Sequence, residues 1–346
     1  MTDMQNAAAP QQMPPDAVIL QQVAGAFASS AIYVAARLGV AEILHDGPHS
    51  IAELAAKTGM NEHALYRLLR ATSSVGIFAE LPGRTFANTP ASDTLRKDAP
   101  NSTLYMTLWM LNEPHWRVYG HLFDSVRTGE TVWDKVHGEP VFKTLFETDR
   151  DLGEIFHRAM TSFSHQTIPA ILEAYDFSGA STVADIAGGH GHLLAAILEK
   201  YPSMNGILFE VPPVLEGAPT MMESHGVANR AVLVAGDFCN AIPVRSEVYI
   251  LKHIIHDWYD DKCETILGNI RREMPDDARV LIIDAVLPGP NEPHFAKFLD
   301  LEMMMLPGGM ERTAEEFDSL LDRSGFKMTR IIPTHSPVSI VEAVKN

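Results

Sequence analysis

Apolar residues recur at helical spacing near the start of the chain, from Ala17 to Leu44, and include Val23 and Phe27. Arg37 is the only charged residue between positions 17 and 41. A helix that is apolar on most sides needs partners on most sides. The pattern therefore predicts a helix that is either buried in its own domain or packed against a second copy of the chain.

The next segment has the outline of a winged helix. The sequence Ser50-Ile51-Ala52-Glu53 is a capping box that begins a short helix, and Asn61 caps a second helix. Residues 78–89 form two strand-like pieces separated by the turn Pro82-Gly83. Winged helices often bind DNA, but the second helix offers only two arginines, which favours a dimerisation module of the same outline.

Residues 101–177 are predicted to be helical and are rich in Trp, Phe, Met and His. Aromatic and methionine side chains of this kind pack in a core or line an apolar pocket for a flat ligand. Trp109 and Trp116, together with the later Met304, are candidate substrate-binding residues on that interpretation.

After Gly179, short buried strands alternate with helix-length segments. The predicted strands are 182–187, 206–211, 232–235, 248–251 and 280–283. This alternation predicts an α/β domain with a mostly parallel sheet, helices on both faces and right-handed crossovers. We divide the chain into a tail (1–15), a winged-helix-like dimerisation domain (16–100), a helical substrate-pocket connector (101–177) and an α/β domain (178–346).

The amino-acid composition excludes some classes of partner and favours one cellular location. The 346 residues include 27 basic and 44 acidic side chains, and the net charge of −17 argues against nucleic acid or an anionic membrane as the main partner. Only two cysteines are present, which excludes a disulfide framework and favours a cytoplasmic location. We find no uninterrupted apolar run long enough to span a membrane, and residues 1–16 resemble a disordered tail rather than a secretory signal.

A glycine-rich turn lies between the first strand and first helix of the α/β domain, within Asp185–Gly191. Gly188, Gly189 and Gly191 would bring a ligand close to backbone amides at the start of a helix. Glu210 ends the next strand, where a carboxylate accepts hydrogen bonds from ribose hydroxyls. The third glycine of the dinucleotide fingerprint is missing, so the pattern favours S-adenosylmethionine over a hydride carrier.

Two further residues fit the same cofactor. Asp237 follows the third strand, where it could bind an adenine amino group, and the adjacent Phe238 could pack on the base. The alternative for Asp237 is a local turn or helix cap after Gly236.

Two histidines follow the fourth strand, at the edge of the sheet where such folds keep their active sites. His253 and His256 could be a metal pair, but no third ligand occurs at a suitable spacing. We therefore expect no metal and a single histidine that acts as a base beside the cofactor.

Five motifs together resemble the plant-caffeate-type small-molecule O-methyltransferases, a family that includes acetylserotonin methyltransferase and many bacterial antibiotic-tailoring enzymes. The matching motifs are Asp185–Gly191, Phe209–Pro212, Gly236–Phe238, Lys252–Trp258 and Pro307–Thr313. The resemblance extends from about residue 15 to residue 344. It implies a dimerisation domain of winged-helix type followed by a class I methyltransferase domain.

The resemblance also implies roles for individual residues. His256 would be the general base, flanked by Asp284 and Glu311. The implied adenosine pocket is completed by Lys252 and Trp258, and the implied ligand-facing residues of the helical segment are Met160 and Ser164. Ala187 and Glu210 depart from the family's usual glycine and aspartate. We expect both changes to be conservative.

These expectations describe an S-adenosylmethionine-dependent O-methyltransferase that acts on a phenolic or other hydroxyl of a small aromatic metabolite by in-line displacement. His256, poised near pH 7, would take the proton from a phenol, whose pKa is about 10. The alternatives are N- or C-methylation, another reaction of the same cofactor, and a winged-helix regulator that senses a ligand. The identity of the methyl acceptor is not encoded in any of these motifs.

Overall fold

The computed structural model describes residues 13–346, so the predicted tail lies almost entirely outside the described residues. The chain divides into two compact units, one ending at Asn112 and the other beginning at Glu113. The predicted helical connector is thereby shared between the two units.

The first unit follows the predicted outline. Its elements are α1 (Pro15–Arg37), α2 (Val40–Ile43), a 3₁₀ turn (Leu44–Asp46), β1 (His49–Ser50), α3 (Ile51–Thr58), α4 (Glu62–Ser74), β2 (Phe78–Leu81), β3 (Thr85–Asn88), α5 (Pro90–Asp93) and α6 (Leu104–Met110). Ser50 and Glu53 form the predicted capping box at α3, and the side chain of Asn61 caps α4. The strands pair antiparallel in the order β1-β3-β2. Leu54, Leu69 and Phe86 are fully buried beneath them.

Helix α1 leaves much of its apolar surface exposed within the chain. Ile19, Leu20 and Phe27 are 64%, 65% and 75% exposed. The helix is also long and apolar enough to cross a bilayer, with a mean hydropathy of 1.5 over 18 residues. The apolar run is interrupted by polar Gln and Ser residues, as the sequence shows, but these do not lower the average hydropathy of the helix enough to exclude a membrane span. Length and composition alone are weak evidence for a membrane span.

The second unit contains the predicted α/β domain, preceded by a helical segment. Its helices are α7 (Glu113–Tyr119), α8 (Leu122–Thr128), α9 (Trp133–His137), α10 (Val141–Lys143), a π-helical turn (Thr144–Thr148), α11 (Arg150–Ala174), α12 (His192–Lys200), α13 (Pro212–Leu215), α14 (Ala218–Ser224), 3₁₀ turns at Ala228–Arg230 and Ile255–Asp257, α15 (Asp260–Glu273), α16 (Ala296–Met305) and α17 (Ala314–Arg323). Its strands are β4 (Thr182–Ile186), β5 (Asn205–Glu210), β6 (Ala231–Ala235), β7 (Val248–Lys252), β8 (Arg279–Asp284), β9 (Val286–Leu287), β10 (Arg312–Thr313), β11 (Phe326–Pro333) and β12 (Ser339–Lys345).

The main sheet has the strand order β11-β12-β8-β7-β4-β5-β6. The five predicted strands, β4 to β8, pair parallel and lie within one residue of their predicted bounds, whereas β12 joins β8 antiparallel and pairs with β11. Helices α11, α12 and α14 cover one face of the sheet, and α15 and α17 cover the other. The carboxyl ends of β4, β5, β7 and β8 therefore meet at one edge of the sheet.

Candidate active site

The glycine turn after β4 needs its glycines for steric reasons. A Cβ on Gly188 would lie 2.4 Å from the carboxylate of Asp185, and a Cβ on Gly191 would lie 2.2 Å from the methyl group of Met222. Ala187 has a φ of +55°, a left-handed conformation that costs a non-glycine residue about 1–2 kcal/mol. The replacement of glycine by alanine at this position is therefore less conservative than we expected.

Glu210 ties the end of β5 to this turn. One carboxylate oxygen accepts from the amide of Gly189 at 2.9 Å, and the other accepts from the amide of Val211 at 2.7 Å. Burial raises the pKa of Glu210, although both hydrogen bonds favour its ionised form. Each oxygen retains a second lone pair for a ligand hydroxyl.

Asp185 is buried beneath the turn. Its side chain is 1% exposed, and neither carboxylate oxygen has a hydrogen-bond partner among the described residues. Burial raises its pKa to about 7, and the charge of Lys252 opposes that rise. A buried unpaired carboxylate is unusual, and such groups concentrate at functional sites.

Lys252 connects the end of β7 to helix α11. Its Nζ donates to the hydroxyl of Ser164 at 3.1 Å, and burial lowers its pKa. Met160 lies one helical turn before Ser164 on the same helix and is half-buried. Two of the predicted ligand-facing residues are thus on the segment of α11 that lies next to the end of β7.

Trp258 and Phe238 pack together, with ring centroids 6.3 Å apart. Lys262 places its Nζ 3.6 Å from the centroid of the Trp258 ring, and the indole Nε1 is buried without a partner among the described residues. Asp237 is exposed and accepts hydrogen bonds from the amide of Cys239 and the side chain of Asn240. Asp237 therefore caps a local turn, as the alternative interpretation expects.

The central contact of the site joins His256 to Glu311. Nδ1 of His256 lies 2.8 Å from Oε1 of Glu311, and the Glu311 side chain is fully buried. An ionised carboxylate can only accept, so Nδ1 carries the hydrogen. This contact fixes the orientation of the ring and leaves Nε2 on the opposite side, where it lies 3.7 Å from Oδ1 of Asp257.

Three carboxylates surround His256 and control its charge. Burial disfavours the charged imidazolium, but Asp284, Asp257 and Glu311 together outweigh it and raise the pKa of His256 to about 10. Burial raises the pKa of Asp284 to about 7 and that of Asp257 to about 6. These carboxylates favour the protonated imidazole, and the role of His256 as a base near pH 7 stays a prediction.

Arg312 holds the loop that carries His256, a role that the sequence interpretation missed. Its guanidinium is 1% exposed and donates to the carbonyls of Ile255 and Trp258, both at 3.0 Å. It also donates to the carboxylate of Asp260 at 2.7 Å. In the sequence, this role was indicated only by the position of Arg312 directly after Glu311 in the motif Pro307–Thr313.

Gly309 allows the segment that carries Glu311 to approach the loop that carries His256. A Cβ on Gly309 would lie 2.0 Å from the carbonyl oxygen of His256, and the amide of Met310 donates to that carbonyl at 2.9 Å. The glycine is thus required for Glu311 to reach the imidazole.

His253 lies beside the same cluster. Its φ is +57°, its Nδ1 is 3.6 Å from an oxygen of Asp284, and its Nε2 is buried without a partner among the described residues. Burial lowers the pKa of His253 well below its usual value, so the ring is neutral. The chain fold supplies Asp284 as the third potential ligand that sequence spacing did not reveal.

The remaining predicted substrate residues are more scattered. Met304 is half-buried on α16, whereas Trp116 on α7 is 39% exposed. Trp109 is buried in the first unit, on α6. The sequence interpretation missed Glu302, which is buried on α16 and accepts from the hydroxyl of Tyr119 at 2.6 Å.

Comparisons with known proteins define the class. An O-methyltransferase domain model matches residues 119–327, and an O-methyltransferase dimerisation domain model matches residues 20–98. The chain belongs to the O-methyltransferase family. It is an enzyme of that family, and S-adenosylmethionine-dependent O-methylation is the activity that its relatives support.

Individual relatives match over most of the chain. The phenazine O-methyltransferase PhzM of Lysobacter antibioticus is 40% identical and aligns over 99% of both chains. The mitomycin biosynthesis 6-O-methyltransferase of Streptomyces lavendulae is 39% identical over 92% of this chain and 91% of its own. An 8-amino-8-demethylriboflavin N,N-dimethyltransferase of Streptomyces davaonensis is 34% identical over 90% of each.

A solved structure supports the cofactor assignment. CalO1, a methyltransferase in calicheamicin biosynthesis, was solved in its S-adenosylhomocysteine-bound form. It is 31% identical, with a TM-score of 0.84, and the match covers 97% of this chain and 100% of that chain. The buried unpaired polar atoms of Asp185 and Trp258, beside a turn that tolerates no Cβ at Gly188, fit an adenosyl group with an amino-acid tail.

Replacing Glu311 by Gln is expected to lower the pKa of His256, because one of three negative neighbours is lost. In the wild type the folded pKa of about 10 exceeds the unfolded value of about 6.5. The resulting stabilisation is complete below pH 6.5 and disappears as the pH rises through 10. NMR titration of labelled histidines measures the shift directly.

Glu199→Gln is the matched control, because Glu199 lies 3.0 Å from His225 and outside this site. It should leave the His256 titration unchanged. An unaltered His256 pKa in Glu311→Gln would contradict the assigned electrostatics.

Proposed function

We propose that the chain methylates a phenolic hydroxyl of a small aromatic secondary metabolite and that His256 is the general base. The observation that carries the proposal is the buried contact between Nδ1 of His256 and Glu311, which presents Nε2 as a base of fixed orientation. Asp284 stabilises the imidazolium by its charge, and Arg312 holds the loop in place.

S-Adenosylmethionine, when bound, supplies an electrophilic methyl group on a positively charged sulfur. Glu210 would bind the ribose hydroxyls, and the amides of the glycine turn would contact the amino-acid tail. Phe238 and Trp258 would enclose the base, with Asp237 turning from its local contacts to the adenine amino group. Lys252, fixed by Ser164, would complete this pocket.

The pKa of His256 places a condition on its role as base. A phenol has a pKa of about 10, close to the value of about 10 for His256. Proton transfer between the two is therefore nearly balanced. The carboxylates that raise the pKa of His256 favour its protonated form, so the reactive fraction should increase as the pH rises, or when the positively charged sulfur of the cofactor comes close.

The substrate class follows from the relatives and the lining. Two of the relatives are named a phenazine O-methyltransferase and a mitomycin biosynthesis 6-O-methyltransferase, which favours a ring compound as the acceptor. Met160, Met304 and Trp116 would offer adaptable apolar contacts to such rings.

N-methylation is the second candidate reaction, because one relative is named an N,N-dimethyltransferase. An amine that is already neutral needs no base before it attacks, whereas a phenol does. Mass spectrometry and NMR of the product from an acceptor with both groups would separate the two reactions.

We propose further that turnover needs no metal. Loss of activity with a chelator, restored by Mg²⁺ or Zn²⁺, would contradict this. The expected absence of nucleic-acid and membrane partners, and a cytoplasmic location, are part of the same proposal.

Replacing His256 by Ala is expected to reduce turnover about 10²–10⁴-fold at a pH at which the wild-type imidazole is neutral in the cofactor complex, since general base catalysis contributes that much. Cofactor affinity should change little, because the proposed cofactor contacts are made by other residues. Calorimetry with S-adenosylhomocysteine and steady-state kinetics measure the two effects separately.

His253→Ala is the neighbouring control and should cost much less turnover. Wild-type turnover in His256→Ala, or loss of cofactor binding together with activity, would show that His256 is not the base.

Replacing Glu210 by Ala should weaken S-adenosylmethionine binding about 10- to 150-fold, which corresponds to about 1.5–3 kcal/mol for hydrogen bonds to a charged group. Glu210→Asp, the family's usual residue, should retain most of the affinity. Glu216→Ala removes an exposed carboxylate nearby and serves as the control. Calorimetry showing equal affinities for all four proteins would reject the ribose assignment.

The match to a dimerisation domain and the exposed apolar face of α1 support a homodimer. A charge on this face, as in Phe27→Asp, should shift the chain towards monomer in sedimentation velocity at micromolar concentration. Val126→Asp is the control. It adds the same charge at an apolar residue outside α1 that is 66% exposed, and it should leave the sedimentation coefficient unchanged. A wild-type chain that sediments as a monomer would contradict the proposal.

A further inference from the structure

The cluster at the end of β7 and β8 has the composition of a transition-metal site. One donor atom each of His253, His256 and Asp284 lies within 4.8 Å of the others. We propose that these three side chains bind one divalent transition-metal ion, for which Zn²⁺ is the best match, and that the bound ion blocks the methyl acceptor.

The donor set selects the metal. Two imidazoles and one carboxylate are typical zinc ligands, whereas Mg²⁺ and Ca²⁺ prefer oxygen atoms. Catalytic zinc sites use three protein ligands and leave the fourth position to water or another small ligand. Tetrahedral ligands around zinc are about 3.4 Å apart at bond lengths of about 2.1 Å. The separation of 3.6 Å between Nδ1 of His253 and Oδ1 of Asp284 is close to that value, and a donor atom of His256 lies within 4.8 Å of both.

The surroundings of the donors are also those of a metal site. Glu311 accepts from Nδ1 of His256, as carboxylates do behind metal-bound histidines, so an ion would bind at Nε2, which lies 3.7 Å from Oδ1 of Asp257. Both oxygens of Asp284 and Nε2 of His253 are buried without a partner among the described residues. A left-handed backbone at His253 is strained for a non-glycine residue, and strain of this kind clusters at functional sites.

Charge favours a cation here. Asp284, Asp257 and Glu311 bring three carboxylates to one buried cluster. Lys252 brings one positive charge close to Asp284, and Arg312 directs part of its guanidinium to Asp260, outside the cluster. A dication at His253, His256 and Asp284 would displace the proton of His256 to solvent and offset the same three carboxylates.

Metal binding and methyl transfer would compete for the same imidazole. An ion bound to Nε2 of His256 occupies the nitrogen that takes the acceptor proton. Zn²⁺ should therefore inhibit competitively with the acceptor. The effect on turnover rests on the proposed function, whereas the metal site does not.

The test uses the purified full-length chain without cofactor and measures binding of Zn²⁺ alone by calorimetry. Co²⁺ provides a spectroscopic readout, because tetrahedral coordination gives strong visible absorption. We expect one ion per chain at micromolar or lower Kd, the visible Co²⁺ bands, and at least tenfold weaker binding in His253→Ala. Circular dichroism establishes that the variant is folded, and His253→Asn is a second variant with a smaller change in volume.

His157→Ala is the matched control, because His157 packs against His190 at a ring separation of 4.0 Å in a different histidine pair. It should bind Zn²⁺ like the wild type. Absence of binding, binding that His253→Ala and His253→Asn leave unchanged, or binding that His157→Ala removes would each overturn the proposal. If the chain binds Zn²⁺ as expected but transfers no methyl group, the result supports the metal site and contradicts the proposed function.

Discussion

The site depends on one buried contact, the hydrogen bond from Nδ1 of His256 to Glu311. A histidine that must act as a base needs a defined tautomer and a fixed ring, and this contact supplies both. Two backbone segments have to meet for it to form. Gly309 permits the approach, and Arg312 secures the loop through the carbonyls of Ile255 and Trp258.

The same contact has an electrostatic consequence. Burial disfavours the charged form of His256, but Asp284, Asp257 and Glu311 outweigh it and raise the pKa to about 10. A base that is too strong is mostly protonated at pH 7, and one that is too weak cannot take a phenol proton. The cluster therefore makes the activity of His256 depend on the other charges that enter the site.

Most of the fold could be predicted from the sequence. The strands β4 to β8 are short apolar runs separated by helix-length segments, and the capping boxes mark helix starts by local chemistry. Strands β11 and β12 were not predicted. They form an antiparallel pair at the end of the domain, outside the alternation of strands and helices on which the prediction relied. The high mean hydropathy of α1 was not noticed in the sequence, because it is an average over the helix and not a property of one uninterrupted apolar run.

The sequence named candidate residues for the site, but it gave little of their geometry. His256, Asp284 and Glu311 lie in separate segments, and only the fold shows that three carboxylates surround one imidazole. Charge coupling of this kind, and the role of Arg312, cannot be inferred from spacing. The central claim is best tested with a series of phenols of decreasing pKa, comparing wild type with His256→Ala in single-turnover assays. The advantage of the wild type should shrink steadily as the phenols become more acidic and disappear for those already ionised; an advantage independent of acceptor pKa would contradict a general base.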